Sequence, residues 1–245
     1  MTKTLCLDFG NTRLKGAIFN GDELEEKFVL NDDGLDDLSM ILKKFKPTFS
    51  ILSSVIHHHH KIEEVLSSST QFHKLTNQSK LSFTIPVGKP DTMGTDRIAI
   101  AAAAVHLFPG KNNLAIGLGS CITYNFINCS HQFLGGSISP GMEMRFKAMN
   151  YYTAKLPLVK AEWNIPLIGY DTATNLQTGV ILGIAKEIDG MIEEYETKFG
   201  NFNVLLTGGD IAYFEPHLKK KIFAHPDLLF KGLYAISKVN ALSNL

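Results

Sequence analysis

The residue types best suited to chemistry in this chain fall in two short stretches. In the first, Asp8, Gly10, Asn11, Thr12 and Lys15 follow one another closely. Gly10 lets the backbone approach a ligand, and Asn11 and Thr12 offer short hydrogen-bonding side chains. Asp8 offers a carboxylate for a hydrated cation, and Lys15 adds positive charge. Together they suit a triphosphate with magnesium. The same residues would also serve an ordinary hairpin whose Asp and Asn bond their own turn. The second stretch is Gly94-Thr95-Asp96-Arg97. Asp96 stands where a helix opens, so the dipole favours its negative charge, and Arg97 can form a planar paired contact with a carboxylate or an amide. A helix-capping Asp beside a surface Arg is the alternative.

A strand, a tight turn and a second strand must hold the first stretch, since the apolar run 5–7 precedes Asp8 and residues 15–19 follow the turn. Asn20-Gly21 supplies the left-handed positions of a two-residue hairpin, so 23–30 returns as a third strand. Residues 32–46 carry Leu35, Leu38, Ile41, Leu42 and Phe45 at helical spacing behind Asn31 and Asp32 as caps. Residues 50–56 form a buried strand, parallel to the first because a helix intervenes. The histidine run 57–60 cannot turn every ring toward one ion, and reads as a polar loop leading into a helix over 61–67. A strand and connection over 72–80 and an irregular loop over 81–92, with Pro86, Gly88 and Pro90, lead to Met93. Residues 93–97 open an alanine-rich helix over 98–107 that Pro109-Gly110 stops. A domain boundary is expected there, giving lobes 1–110 and 111–245.

The opening pattern then recurs. Residues 113–127 are again strand, Gly-centred turn and strand, with Gly119 and Ser120 each 109 positions after Gly10 and Asn11, and 132–138 is a third strand. Pro140-Gly141 starts a helix to 155 whose Met142, Met144, Phe146 and Met149 suit a core or an interface. A long helix over 174–199 ends at Gly200, an apolar strand over 204–210 breaks into Gly208-Gly209, and a helix over 229–242 closes the chain. Each half is therefore β-β-β-α-β-α. Two such halves would set their Gly turns face to face across a cleft, with nucleotide phosphates on the turns and a purine against Gly208-Gly209.

Composition restricts the alternatives. Lys and Arg total 24 against 24 Asp and Glu, so no global basic field recruits nucleic acid or an anionic membrane. Cys6, Cys121 and Cys129 lack C-x-x-C spacing and read as reduced core thiols of a cytoplasmic protein. No apolar window is long enough to span a bilayer, and Asp8 interrupts any signal-peptide core.

Five motifs in this order resemble those of the type III pantothenate kinases, within the actin-like ATPase and sugar-kinase superfold. They are Asp8-x-Gly-Asn-Thr-x-x-Lys15, Gly94-Thr-Asp-Arg97, Gly135-Gly-x-Ile-x-Pro-Gly141 with Leu156-Pro157 downstream, Thr172 followed by Gln177-Thr-Gly179, and Leu206-Thr-Gly-Gly-Asp210. The resemblance covers nearly the whole chain. It implies an α/β fold of two duplicated ribonuclease H-like lobes with a nucleotide cleft between them. It also implies ATP-dependent phosphorylation of pantothenate to 4'-phosphopantothenate, the first step of coenzyme A biosynthesis. By the resemblance, Asp8, Phe9, Gly10, Asn11, Thr12, Arg13, Leu14, Lys15 and Ser120 would hold ATP, with Asp8 on magnesium. Gly94, Thr95, Asp96 and Arg97 would line the pantothenate site, Asp96 would accept the proton, and Thr172 would reach substrate across the interface of a homodimer. Phosphoryl transfer asks little covalent work of a protein, so one carboxylate on the hydroxyl and cations on the phosphates suffice.

The chain departs from the family pattern at several positions. Gly117 stands where the family has an Asp associated with potassium or ammonium, so that site is lost or is completed by another oxygen such as Asn125. Ser120 replaces a Thr and keeps its hydroxyl. Val87 replaces an aromatic residue expected at the substrate. These departures leave open a catalytically weakened nucleotide-binding relative, resembling those described as accessory transcription factors. A kinase of the same superfold acting on another small alcohol is also open.

Overall fold

The computed structural model describes residues 2–31, 33–86, 88 and 90–241. Val87, Asp32 and Leu242, which figure in the expectations above, lie outside the described residues. The chain forms two compact units. One comprises Met1–Gly110, Ser130–Leu134 and Asp227–Leu245, and the other Lys111–Cys129 and Gly135–Pro226.

The first unit is built on a five-stranded sheet of β1 (Lys3–Phe9), β2 (Leu14–Asn20), β3 (Glu23–Leu30), β4 (Phe49–Ser54) and β5 (Gln71–Lys74), in the order β3-β2-β1-β4-β5. Gly21 at φ 59° makes the turn that brings β3 back beside β2. β4 and β5 are parallel to their neighbours and are reached through α1 (Leu35–Phe45) and α2 (Lys61–Ser69), as parallel pairs require. Leu5, Leu7, Phe9, Ile18 and Leu52 on one face pack with Leu38, Phe45, Ile62 and Leu66 of the two helices. The opposite face of β1 and β4 meets α7 (Leu228–Ala241), which packs along α3 (Thr95–Leu107). Phe19 stacks on Tyr234 with ring centroids 4.5 Å apart. The small face of α3 permits this approach: a Cβ at Gly232 would lie 1.7 Å from the Ala99 carbonyl oxygen. Covered on both faces, β1 needs an unbroken apolar run, which is why Leu5, Cys6 and Leu7 do not alternate with polar residues.

Two expectations are corrected here. The cap of α1 is Gly34, in the left-handed conformation, rather than Asn31 with Asp32. Leu35 N–H instead donates to Asp33 Oδ1 and Asn31 N–H to Asp37 Oδ2, so acidic groups around the first turn take the capping work. Of the three thiols, Cys6 is buried, Cys121 is partly exposed and Cys129 is exposed, because Cys129 lies just past the end of its strand.

The second unit repeats the sheet. β6 (Asn113–Leu118), β7 (Cys121–Ile127), β8 (Phe133–Pro140), β9 (Asn203–Gly208) and β10 (Phe223–Ala224) stand in the order β10-β9-β6-β7-β8, and β8 begins in the 130–134 segment of the first unit. The two helices expected between β8 and β9 are α4 (Met142–Tyr152) and α5 (Thr172–Phe199), and α6 (Ile211–Phe214) follows β9. A stretch without regular structure, 153–170, separates α4 from α5 and contains Pro157 and Pro166. Ile181, Ile184, Ile188 and Ile192 line the buried side of α5, and Phe126 of β7 clusters with Tyr195 and Phe199.

Candidate active site

Asp8 is the penultimate residue of β1, paired with Lys15 across the hairpin and with Ser53 across the parallel pair. The turn closes with Gly10 N–H donating to the Arg13 carbonyl at 3.2 Å, leaving Asn11, Thr12 and Arg13 exposed. Because β4 runs parallel to β1, its end lies beside Asp8, and that end receives α3. Ser53 Oγ donates to Thr95 Oγ1 at 3.0 Å, and Thr95 Oγ1 to the Ser54 carbonyl at 3.5 Å. Asp96 follows in the first turn of α3. Its carboxylate folds back over Gly94, where an added Cβ would lie 2.5 Å from Asp96 Oδ1. The Arg97 guanidinium sits 5.6 Å from the Phe133 ring centroid. A bridge between Thr84 and Gln132, flanked by bonds between Thr84 and both His131 and Phe133, pins the loop before α3 to that segment.

This placement brings together two carboxylates that are far apart in sequence. Burial first, and the nearby Asp96 second, push the partly buried Asp8 carboxyl up to about 7 against the opposing charge of Lys15. Two acids against one lysine leave a site that favours a divalent cation. Among the described residues no group of three or more His, Cys, Asp or Glu forms a self-sufficient metal cage. One carboxylate suits magnesium, which keeps water and takes phosphate oxygens as its other ligands.

In the second unit, Gly119 N–H donates to the Cys121 carbonyl at 3.2 Å, so this turn is one residue tighter than its counterpart. Ser120 is exposed, and its carbonyl accepts from Gly141 N–H at 3.1 Å, which sets the start of α4 beside the turn. Leu118 pairs with Gly208 across the parallel strands, so the Gly208-Gly209 turn emerges next to Ser120. Gly208 has φ 113°, and a Cβ there would lie 2.0 Å from the Leu118 carbonyl oxygen.

Gly117 lies between Thr123 and Thr207, both buried. Asn125 pairs with Ala115, farther from the turn, and is fully buried. Its Nδ2 donates to the Ala115 carbonyl at 3.1 Å and to Thr123 Oγ1 at 3.2 Å. Thr172 opens α5 and is exposed, held by a capping box in which Asp171 Oδ1 accepts from Thr174 N–H at 2.8 Å. Gln177 donates to the Lys160 carbonyl at 2.8 Å and Thr178 to the Pro166 carbonyl at 2.7 Å, tying down 153–170.

Sequence reasoning missed Ser53, Ser54 and His58, the polar residues at the end of β4. Their only signal is a Ser-Ser pair closing an apolar strand just ahead of the histidines. It also missed Glu187, which accepts from Ser139, Arg145 and Tyr124 and joins α5 to β7, β8 and α4.

A family model for type III pantothenate kinase matches residues 4–194. The chain belongs to the type III pantothenate kinase family. A type III pantothenate kinase of Cytophaga hutchinsonii is 43% identical over 236 residues, 96% of this chain and 99% of its own. One from Christiangramia forsetii is 41% identical, covering 96% of this chain and 98% of its own. A solved structure described as a putative Baf family transcriptional activator from Campylobacter jejuni shares the fold with TM-score 0.61 and 24% identity, over 98% of this chain and 100% of that one. The chain has the α/β fold of the actin-like ATPases and sugar kinases.

Proposed function

We propose that this chain transfers the γ-phosphoryl group of ATP to the primary hydroxyl of pantothenate, giving 4'-phosphopantothenate and ADP. The observation that carries the reading is the meeting of Asp8 and Asp96 at the ends of β1 and β4, beside Lys15 and Arg97. A non-catalytic nucleotide binder has no need of a second carboxylate there, which favours the enzyme over a regulatory relative.

The two units serve as the lobes, near 1–110 and 111–245, with α7 returning to the first. Backbone N–H groups and side chains of residues 8–15, with Ser120, hold the phosphates, and the purine rests on the Gly208-Gly209 turn. Asp8 in its ionised form holds magnesium, which neutralises charge on the phosphates when bound. Asp96 orients the pantothenate hydroxyl and accepts its proton as the oxygen attacks phosphorus. Arg97, with Gly94 and Thr95, holds the carboxylate or amide of pantothenate. Gly117 offers no ligand to a monovalent cation, so dependence on potassium or ammonium is weaker here than elsewhere in the family. The enzyme acts in the cytoplasm as a homodimer in which Thr172 reaches the partner's substrate. It needs neither nucleic acid nor membrane, and no helix among the described residues is long and apolar enough to cross a bilayer.

A coupled ADP-release assay on the purified protein tests this directly. Pantothenate should drive ADP formation well above the rate without acceptor, and equal rates would overturn the reading. Asp96→Asn should retain ATP binding while kcat falls by about two to four orders of magnitude.

A further inference from the structure

One member of the histidine run is built into the active-site framework. His57, His59 and His60 are exposed, whereas the His58 side chain is 9% exposed and is engaged at both ring nitrogens. Nε2 lies 2.9 Å from Glu63 Oε1 and Nδ1 lies 3.0 Å from Ser54 Oγ. The ring edge meets Phe9 with centroids 5.6 Å apart. Lys74 Nζ lies 2.7 Å from the same Glu63 oxygen, and its hydrogen bond is the main influence holding that carboxyl below its ordinary value. Glu63 therefore only accepts, and His58 Nε2 must carry the proton it donates. In the neutral ring, Nδ1 is left as an acceptor. Ser54 divides its hydroxyl proton between that nitrogen and the Ile56 carbonyl, 2.9 Å away.

These bonds fasten the end of β4, the same end that positions the two carboxylates. The Ser54 carbonyl and Ser53 hydroxyl hold Thr95, the residue before Asp96. Val55 N–H donates at 3.0 Å to the carbonyl of Phe9, the residue after Asp8. His58 thus touches both segments, through Ser54 on one side and the Phe9 ring on the other. We propose that His58, oriented by Glu63, is a positioning residue for phosphoryl transfer. It holds the end of β4 so that Asp96 and Asp8 keep their spacing. The proposal rests on the assignment of Asp96 as proton acceptor made above.

The test compares His58→Ala with His58→Asn, which restores a polar atom near Nδ1, and with His57→Ala as a surface control. His58→Ala should lower kcat about tenfold while KM for ATP and for pantothenate stays within about twofold, the pattern of a misplaced catalytic group. His58→Asn should recover most of the loss, and His57→Ala should behave as wild type. Ser54→Ala, which cuts the link and leaves the ring packed, should reproduce the kcat loss, so the idea remains testable if His58→Ala does not fold. In an Asp96→Asn background, His58→Ala should cost clearly less than it does in wild type, because what it sets is the spacing of Asp96 from Asp8. Normal kcat in folded His58→Ala or Ser54→Ala, or an undiminished additional loss in the Asp96→Asn background, overturns the role of His58 and leaves Asp96 standing. Wild-type turnover in Asp96→Asn overturns the base assignment itself.

Discussion

The fold holds Asp8 in a form that opposes the magnesium-holding role proposed for it. Its carboxyl ionises near 7 in the fold, against an ordinary value of 3.8. Between those values the folded chain keeps a proton that the unfolded chain has released. Stability therefore falls as pH rises from about 4 to about 7, and the full penalty is present at pH 8. Asp8→Asn removes it, so without nucleotide the variant should melt a few degrees above wild type at pH 8 and level with it near pH 4. With magnesium and ATP the order should reverse, since only wild type gains the ligand's stabilisation. Thermal melts at the two pH values, with and without nucleotide, check both signs. Gly117 carries a separate expectation. At fixed magnesium and ionic strength, turnover should change little as potassium replaces a bulky organic cation, and a steep potassium titration would restore the family's requirement.

Among the elements, the packing of α7 on α3 sets how α3, the helix that carries Asp96, lies on its sheet. Alanines at 99 and 101–104 are buried, and Gly232 lets α7 approach the Ala99 carbonyl. A methyl group there meets backbone rather than a movable side chain, so Gly232→Ala should lower Tm by about 5–10 °C. An unchanged melt would mean that α7 can shift away at little cost. The position of Asp96 should also move, lowering kcat in the fraction that folds.

For the whole molecule, the telling surface lies between α4 and α5. Tyr151, Tyr152, Leu167, Ile168 and Tyr170 are each 80–81% exposed, large side chains of the kind that interfaces cover. Its proximity in sequence to Thr172 is what supports a dimer interface that completes the active site. Leu167→Glu with Ile168→Glu should shift the protein from dimer to monomer in light scattering and reduce kcat/KM for pantothenate, with little change in Tm at low concentration. A wild-type protein that is monomeric at assay concentration would exclude this interface.

The elements were legible in the sequence because their signals are local. Asn20-Gly21 makes a hairpin, Leu38, Ile41 and Phe45 mark a helix face, and Gly10 with Gly119 and Gly208 mark strand ends, whatever lies elsewhere in the chain. The two-fold recurrence was legible for the same reason, and both sheets do share one strand order. The cap of α1 was misplaced because Gly34 in a left-handed conformation depends on how the preceding loop is held. Only the tertiary structure decided that α7 belongs with the first unit and that Asp8 meets Asp96. The same holds for His58, which a periodicity argument cannot single out from its neighbours. Such contacts depend on the register of parallel strands joined by long crossovers, and register is set by packing across the sheet rather than by any residue and its neighbours.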